Sequence, residues 1–369
     1  MPLQPRPEVQ NLKVCPHGGI NYAELNAVGI APEAVLDFSV CTNPFMPPPG
    51  VKEMLGNIAI DKYPDSEATE LRQRLSERLG VPRDNILAGS GTTELIRLIA
   101  LAYFRQEDPI LILEPTYGEY EVACQLVGAK PIKQWLKAED NFAPRIGEVI
   151  DLIRKRCPGA VFICNPNNPT GKYLTRHEIE LVLDAIGDGL LILDEAYLTF
   201  VEKSWPSTEL VSRGNVVILR SMTKDYALAG LRLGYTIASR EITDSLRRVR
   251  PPWNVNAIAQ KIGVIVLEDV DYLEQTRQKI KEAKQFLIDG LSRLGLCMLP
   301  SDAHYFLVKV GAAGTFRAAL LRHGVQVRDC TSFGLPEYIR IAPRTLPECQ
   351  KFIATIHDQM KKGELAGSI

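Results

Sequence analysis

Read for its apolar and polar positions alone, the chain divides into three stretches of different rhythm. Between about residues 51 and 250, short and nearly unbroken apolar runs recur: ILAG (86–89), ILILE (110–114), AVFIC (160–164), LLILD (190–194) and VVILR (216–220). Runs of this length, rich in β-branched residues and closed by Gly, Pro or polar residues, predict strands buried on both faces. Between them lie segments such as EATELRQRLSERLG (67–80) and TTELIRLIALAYF (92–104), whose apolar residues recur every three or four positions and predict helices. The alternation predicts an α/β domain with a mainly parallel sheet covered on both faces.

The other two stretches differ. Within residues 1–50, HGGIN (17–21) and TNPFMPPPG (42–50) hold too much glycine and proline for a regular helix or a central strand. They predict an arm that packs on the C-terminal part. After PPWNVN (251–256) come a long helical region over 257–293, the strand HYFLVKV (304–310), a helix near 315–323, and short strands at GVQVRD and YIRIA. This pattern predicts a smaller α+β domain over 251–369.

Composition bears on function more than on fold. The 369 residues are 46% hydrophobic and 24% charged with a net charge of −1, which gives no electrostatic reason for a nucleic-acid or membrane partner. No apolar run approaches a membrane span, and MPLQPRPEVQ lacks the apolar stretch of a secretory signal. Eight scattered cysteines without a C-x-x-C pair, and five histidines without paired spacing, speak against a metal centre or a disulfide framework. They fit a reducing, cytoplasmic setting.

Chemistry gathers at the predicted strand ends, where α/β proteins usually keep it. Gly89-Ser-Gly91-Thr92-Thr93-Glu94 opens a helix, and a glycine turn feeding a helix start offers N–H groups and hydroxyls to a phosphate. A helix cap without a ligand is the plainer alternative. Tyr117 follows the next strand and would cover a planar ring, or fill the core. In NPNNPTG (165–171) two prolines stiffen a loop that would present the Asn168 amide at a fixed angle. Asp194 follows four apolar residues, where a carboxylate is costly without a cationic partner. A structural ion pair would also answer that need.

The stretch SMTKDYALAGLRLGY (221–235) completes the set. Ser221-x-x-Lys224 matches the S-x-x-K of serine acyl-transferases, yet their S-D-N and K-T-G partners occur nowhere in the chain. An anion site, a ring cover, an amide, a buried carboxylate and a lysine together describe a site for pyridoxal 5′-phosphate. Lys224 would hold it covalently, and Asp194 would hold the ring-nitrogen proton through a charge-assisted bond of about 1.5–3 kcal/mol. Asn168 and Tyr197 would bond the ring oxygen. Gly91, Thr92, Thr93, Ser221 and Arg232 would bind the phosphate.

At NPNNPTG, DEAY (194–197) and SMTKDYALAGLRLGY the sequence resembles the class I/II aminotransferase family of fold type I, with the motifs in the family's order and spacing. The resemblance implies a large domain with a seven-stranded sheet and a homodimer with shared active sites. It also implies that Tyr63, in KYPD, reaches the partner's cofactor phosphate. Within the family the likeness is nearest to the group of histidinol-phosphate aminotransferases and L-threonine-O-3-phosphate decarboxylases. Both handle a small phosphorylated amine and need a second anion site, for which Arg328, Arg340 and Arg344 are the candidates. Strand alternation would put Arg340 and Arg344 on one side. His17 and Asn21 of HGGIN, Asn43 of LDFSVCTNP, the PPWNVN segment and Arg344 resemble the decarboxylases and make that reaction the first expectation. Tyr117 in PTYGEY and RDCTSFGLP resemble the aminotransferases, which are the alternative. A transcription regulator with an aminotransferase-like domain is disfavoured, because the first 60 or so residues carry no helix-turn-helix pattern.

Overall fold

The computed structural model describes residues 3–10, 12 and 14–365. A two-residue strand, β1 (Leu36–Asp37), ends the arm. Seven strands then form the central sheet: β2 (Ile86–Gly89), β3 (Pro109–Glu114), β4 (Lys130–Trp135), β5 (Ala160–Cys164), β6 (Leu190–Asp194), β7 (Val216–Ser221) and β8 (Gly234–Ala238). Their order is β2-β8-β7-β6-β5-β3-β4. Every pairing is parallel except those of β8, which runs antiparallel to β2 and β7. The C-terminal ends of β2, β3, β5, β6 and β7 therefore open on one edge, and the start of β8 joins them there. Gly234 pairs with Gly89 on one side and Ser221 on the other.

The expected burial on both faces follows the pleat. Leu111, Val161, Ile163, Leu191 and Leu193 pack against helices Thr69–Leu79, Ile146–Arg156 and Arg176–Ile186. Their neighbours Ile110, Ile112, Phe162 and Ile192 pack against helices Thr92–Tyr103 and Glu119–Leu126. Each such fully buried side chain contributes about 1.5–3 kcal/mol. β4 escaped the sequence reading because Lys-Pro-Ile-Lys-Gln-Trp is neither apolar nor cleanly alternating. It is an edge strand, where Pro131 costs no central ladder bond. The first core also takes in Val255, Ala259, Ile262, Val264 and Val266, so helix Ala257–Glu268, beyond the expected division at 250, packs in this core.

Strands β9 (Cys297–Met298), β10 (Phe306–Lys309), β12 (Arg328–Asp329) and β13 (Tyr338–Ile341) form a second, antiparallel sheet in the order β12-β13-β10-β9. Phe306, Val308, Ile339 and Ile341 face its core with Phe316, Leu287 and Phe352, and their neighbours Leu307 and Tyr338 join a separate cluster. The arm joins this part of the molecule: β1 pairs in parallel with β11 (Val325–Gln326), and Phe38 stacks on Phe352 at 4.4 Å. No described helix is long and apolar enough to cross a membrane.

Candidate active site

The strand ends surround a recess of about 80 Å³ that opens into a cleft of about 280 Å³. Thr93, Tyr117, Asn168, Tyr197, Lys224 and Arg232 line both. A larger cleft of about 560 Å³ lies by Glu202, Arg277 and Lys281, but none of the strand-end polar groups lines it.

An anion cradle forms where β2 turns into helix Thr92–Tyr103. Gly91 has φ +81°, a conformation that favours glycine, and a Cβ there would stand 2.7 Å from the Arg232 guanidinium. No side-chain cap is formed at this helix start among the described residues, which leaves its first N–H groups for a ligand. Thr92, Thr93, Ser221 and Arg232 border the recess beside them. Thr93 Oγ1 lies 2.9 Å from the Tyr117 hydroxyl, whose pKa burial pushes up to about 12.

Two neighbouring carboxylates show what the recess lacks. Asp194 and Glu195 are both buried and alternate across the end of β6. Glu195 bonds Arg220 of β7, 3.0 Å from its Nε. Asp194 accepts from the Tyr120 hydroxyl at 2.7 Å and the Ala196 N–H at 3.0 Å, with no cation in bonding distance among the described residues. Burial raises its pKa to about 6. A buried carboxylate of this kind calls for a positive partner from outside the chain. Tyr120 was missed in the sequence because an aromatic within an apolar helix reads as core. Its place three residues after Tyr117, one helical turn on, is the signal that would have found it.

The Asn/Pro loop is built to present one amide. Asn165 bonds Leu174 through both its amide nitrogen and its oxygen, and Asn167 Nδ2 donates to Pro115 O and to Thr170 Oγ1. Both are consumed in bracing, which leaves Asn168 facing the recess with its Oδ1 against Arg340. The bonds Glu114–Pro115, Asn165–Pro166 and Asn168–Pro169 are cis. Lys224 lies in the short helix Met222–Asp225, its Nζ 5.9 Å from the centre of the Tyr197 ring. Burial lowers its pKa, and Arg340 and Arg232 push the same way.

Arg328, Arg340 and His17 line the outer cleft. Arg340 donates to Asn168 Oδ1 and to Ser39 O at 2.7 Å, and its Nε is buried without a partner among the described residues. Arg328 donates to Pro16 O at 2.7 Å and Ser332 Oγ at 2.6 Å. The arm brings Cys15, Ser39 and Cys41 to the same wall, none of which the sequence singled out. They sit in a segment with no periodicity to read.

Three expected substrate ligands are elsewhere. Asn21 caps helix Tyr22–Val28, its Oδ1 accepting from the Ala23 and Glu24 N–H groups. Asn43 is buried behind the lysine, where it donates to Asp225 O and Thr276 Oγ1, and its own N–H bonds Lys224 O at 2.9 Å. Arg344 lies past the end of β13, so alternation no longer applies to it. Its Nε bonds Glu348 at 2.9 Å and it lines neither cavity. Tyr63, expected to serve a partner's site, is 79% exposed and stacks on Trp253 at 4.3 Å.

An uncapped helix start, a carboxylate short of a cation and a depressed lysine border one small recess. An anion, a protonated ring nitrogen and a carbonyl on a single flat molecule would satisfy all three, and pyridoxal 5′-phosphate carries them. The site is that of a pyridoxal-phosphate-dependent enzyme. The family model for aminotransferase class I and II matches residues 33–356, and the chain belongs to that family. A histidinol-phosphate aminotransferase of Symbiobacterium thermophilum is 35% identical over 308 residues, spanning 82% of this chain and 84% of that protein. The structure of histidinol-phosphate aminotransferase from Sinorhizobium meliloti in complex with pyridoxal-5′-phosphate has the same fold. Its TM-score is 0.87, over 96% of this chain and 97% of that one at 23% identity. L-Threonine-O-3-phosphate decarboxylase from Porphyromonas gingivalis gives a TM-score of 0.77 at 27% identity, over 88% of this chain and 99% of that one.

Proposed function

We propose that the protein is an aminotransferase that exchanges an amino group between a small phosphorylated amine, of the histidinol phosphate kind, and 2-oxoglutarate. The observation that carries this reading is the pair Arg328 and Arg340, which line the same cleft as Lys224. A guanidinium has five N–H donors, and each of these uses only part of its set on the protein. An amino-group exchange admits two anionic partners in turn, and the same fork can serve a phosphate and then a carboxylate. The names of the sequence relatives agree with this reading. The first expectation, decarboxylation, leaned on His17, Asn21, Asn43, the PPWNVN segment and Arg344; of these His17 lines the cleft, while Asn21, Asn43 and Arg344 are engaged away from it.

Pyridoxal phosphate, when bound, supplies an electron sink for negative charge at the substrate Cα. The chain does the rest. Thr92, Thr93, Ser221 and Arg232 hold the phosphate end, and Asn168 and Tyr197 hold the ring oxygen. Asp194 keeps a proton on the ring nitrogen. Lys224 would carry the cofactor, and its amine, whose pKa burial lowers, would serve as the base that takes and returns the Cα proton. Arg340 would hold the anion next to the reacting carbon and so set the orientation of the substrate. Tyr63 and Trp253 together present an exposed aromatic pair, which we read as covered by a second copy so that Tyr63 reaches the partner's phosphate cradle.

The test has two arms on the holoenzyme. Histidinol phosphate with 2-oxoglutarate should yield glutamate. L-Threonine O-3-phosphate alone should release no CO₂. Release of CO₂ without glutamate formation in the first arm would overturn the proposal in favour of the decarboxylase.

A further inference from the structure

Three donors of different softness meet at the mouth of the cleft, although their spacing in the sequence suggested no metal site. Cys15 and His17 come from the arm, and Glu119 from the first turn of helix Glu119–Leu126. Their sulfur, nitrogen and oxygen atoms all lie within 4.8 Å of one another. His17 Nε2 is 3.0 Å from Glu119 Oε1, while Arg97 donates to the other carboxylate oxygen at 3.2 Å and fixes its orientation. The thiol rests in the space a side chain at position 118 would fill, since a Cβ on Gly118 would stand 2.6 Å from the sulfur. Glu119 is buried and His17 half-exposed, so the carboxylate is fixed and the imidazole is free to adjust.

A tetrahedral zinc ion binds sulfur at about 2.3 Å and imidazole nitrogen or carboxylate oxygen at about 2.0–2.2 Å, which puts neighbouring donors roughly 3.3–3.7 Å apart. Side-chain movement of about an ångström closes the present triangle to that size. Thiolate and carboxylate together neutralise a divalent charge, and the mixture of sulfur, nitrogen and oxygen suits zinc or cobalt rather than magnesium or calcium. Three protein donors leave a fourth position for water or an anion.

We propose that Cys15, His17 and Glu119 bind a zinc-like divalent ion that ties the N-terminal arm across the mouth of the catalytic cleft and slows turnover. The tie is effective because the same arm segment already contacts the substrate wall: Pro16 O accepts from Arg328. Fixing residues 15–17 to the helix at Glu119 therefore restrains the guanidinium that the incoming anion meets.

The test uses cobalt as a spectroscopic substitute in the holoenzyme, in a non-chelating buffer. Cys157 and Cys297 are also exposed thiols, so the background carries Cys157→Ser and Cys297→Ser. One equivalent of Co²⁺ should produce the strong visible bands of a tetrahedral site, clear of the cofactor's own absorption, and Zn²⁺ should bleach them. Cys15→Ser should abolish the bands, and Glu119→Gln should weaken binding at least tenfold. Gly118→Ala, which crowds the sulfur, should also weaken binding and serves where Cys15→Ser does not fold. Zn²⁺ should inhibit the parent reversibly, with relief by a chelator, and the concentration needed should rise at least tenfold in Glu119→Gln. Unchanged bands in Cys15→Ser or Gly118→Ala, or no one-to-one binding, would overturn the site. Binding without inhibition would overturn the tie across the cleft. The cobalt readout needs no substrate, so it stands apart from the reaction proposed above.

Discussion

On one side of the cleft, the polar groups of the recess come from the strand ends of a single sheet or from the segments that adjoin its strands. On the other side, Arg328 and Arg340 belong to a second sheet, and Cys15, His17 and Ser39 to an arm held there by Leu36–Asp37 and Phe38. The first side is fixed by a backbone ladder whose register leaves little choice: Gly234 stands between Gly89 and Ser221. The second depends on contacts between segments some three hundred residues apart. On the proposed reading, cofactor chemistry is thus placed by one sheet's geometry, and substrate choice by long-range packing.

The strongest challenge to this contrast lies at Lys224. Replacing it with Ala should abolish the covalent cofactor absorbance and lower kcat by about 10⁴-fold or more, at or beyond the upper range for loss of a general base. Spectra and steady-state rates would check this, and residual turnover near the parent level would refute the assignment.

Asp194→Asn probes the same side in two opposite directions. In the cofactor-free protein its pKa is raised from 3.8 to about 6 by burial. The folded state thus favours the protonated acid. The stability this group contributes is full below about pH 4 and is lost as the pH rises through 6, a difference of about 3 kcal/mol. Asp194→Asn should flatten that dependence and stabilise the apoprotein above pH 6. It should also lower kcat by roughly 10–100-fold, the value of one charge-assisted bond. Thermal melts across pH and assays of the loaded enzyme would separate the two effects.

Across the cleft, Arg340→Ala should raise KM for both partners by roughly 10–100-fold, through loss of a charge-assisted bond. Spectral titration should find cofactor binding altered far less. The smallest effects sharpen the contrast. Arg344→Gly removes a partly buried pair with Glu348 worth about 0.2–1 kcal/mol, and Asn21→Ala removes a helix cap worth about 1 kcal/mol. Both should melt slightly earlier and leave KM within about twofold. A large KM change in Arg344→Gly would return that residue to the substrate wall.

The same division explains what could be read from the sequence. Asp194, Asn168, Lys224 and Arg232 were legible because an apolar run that stops at a polar residue marks a strand end, and strand ends in such a sheet converge. Arg340 was legible too, since it lies within a strand and points off its core face. Arg344 looked equivalent four residues on, but β13 ends at Ile341 and the alternation with it. Asn21 and Asn43 sit in motif-like words, yet nothing local distinguishes an amide that caps a helix from one that meets a substrate. Cys15 offered no signal at all. Its position depends on how the arm crosses Gly118, a contact between residues about a hundred positions apart.

The parallel pairing of Leu36–Asp37 with Val325–Gln326 has a further consequence during synthesis. The central sheet is complete once Ala238 has left the ribosome, whereas the arm must wait for nearly the whole chain before its mate appears. A nascent molecule gains the means to hold its coenzyme well before it gains the means to choose what that coenzyme acts on. Selectivity is the last property the growing chain acquires.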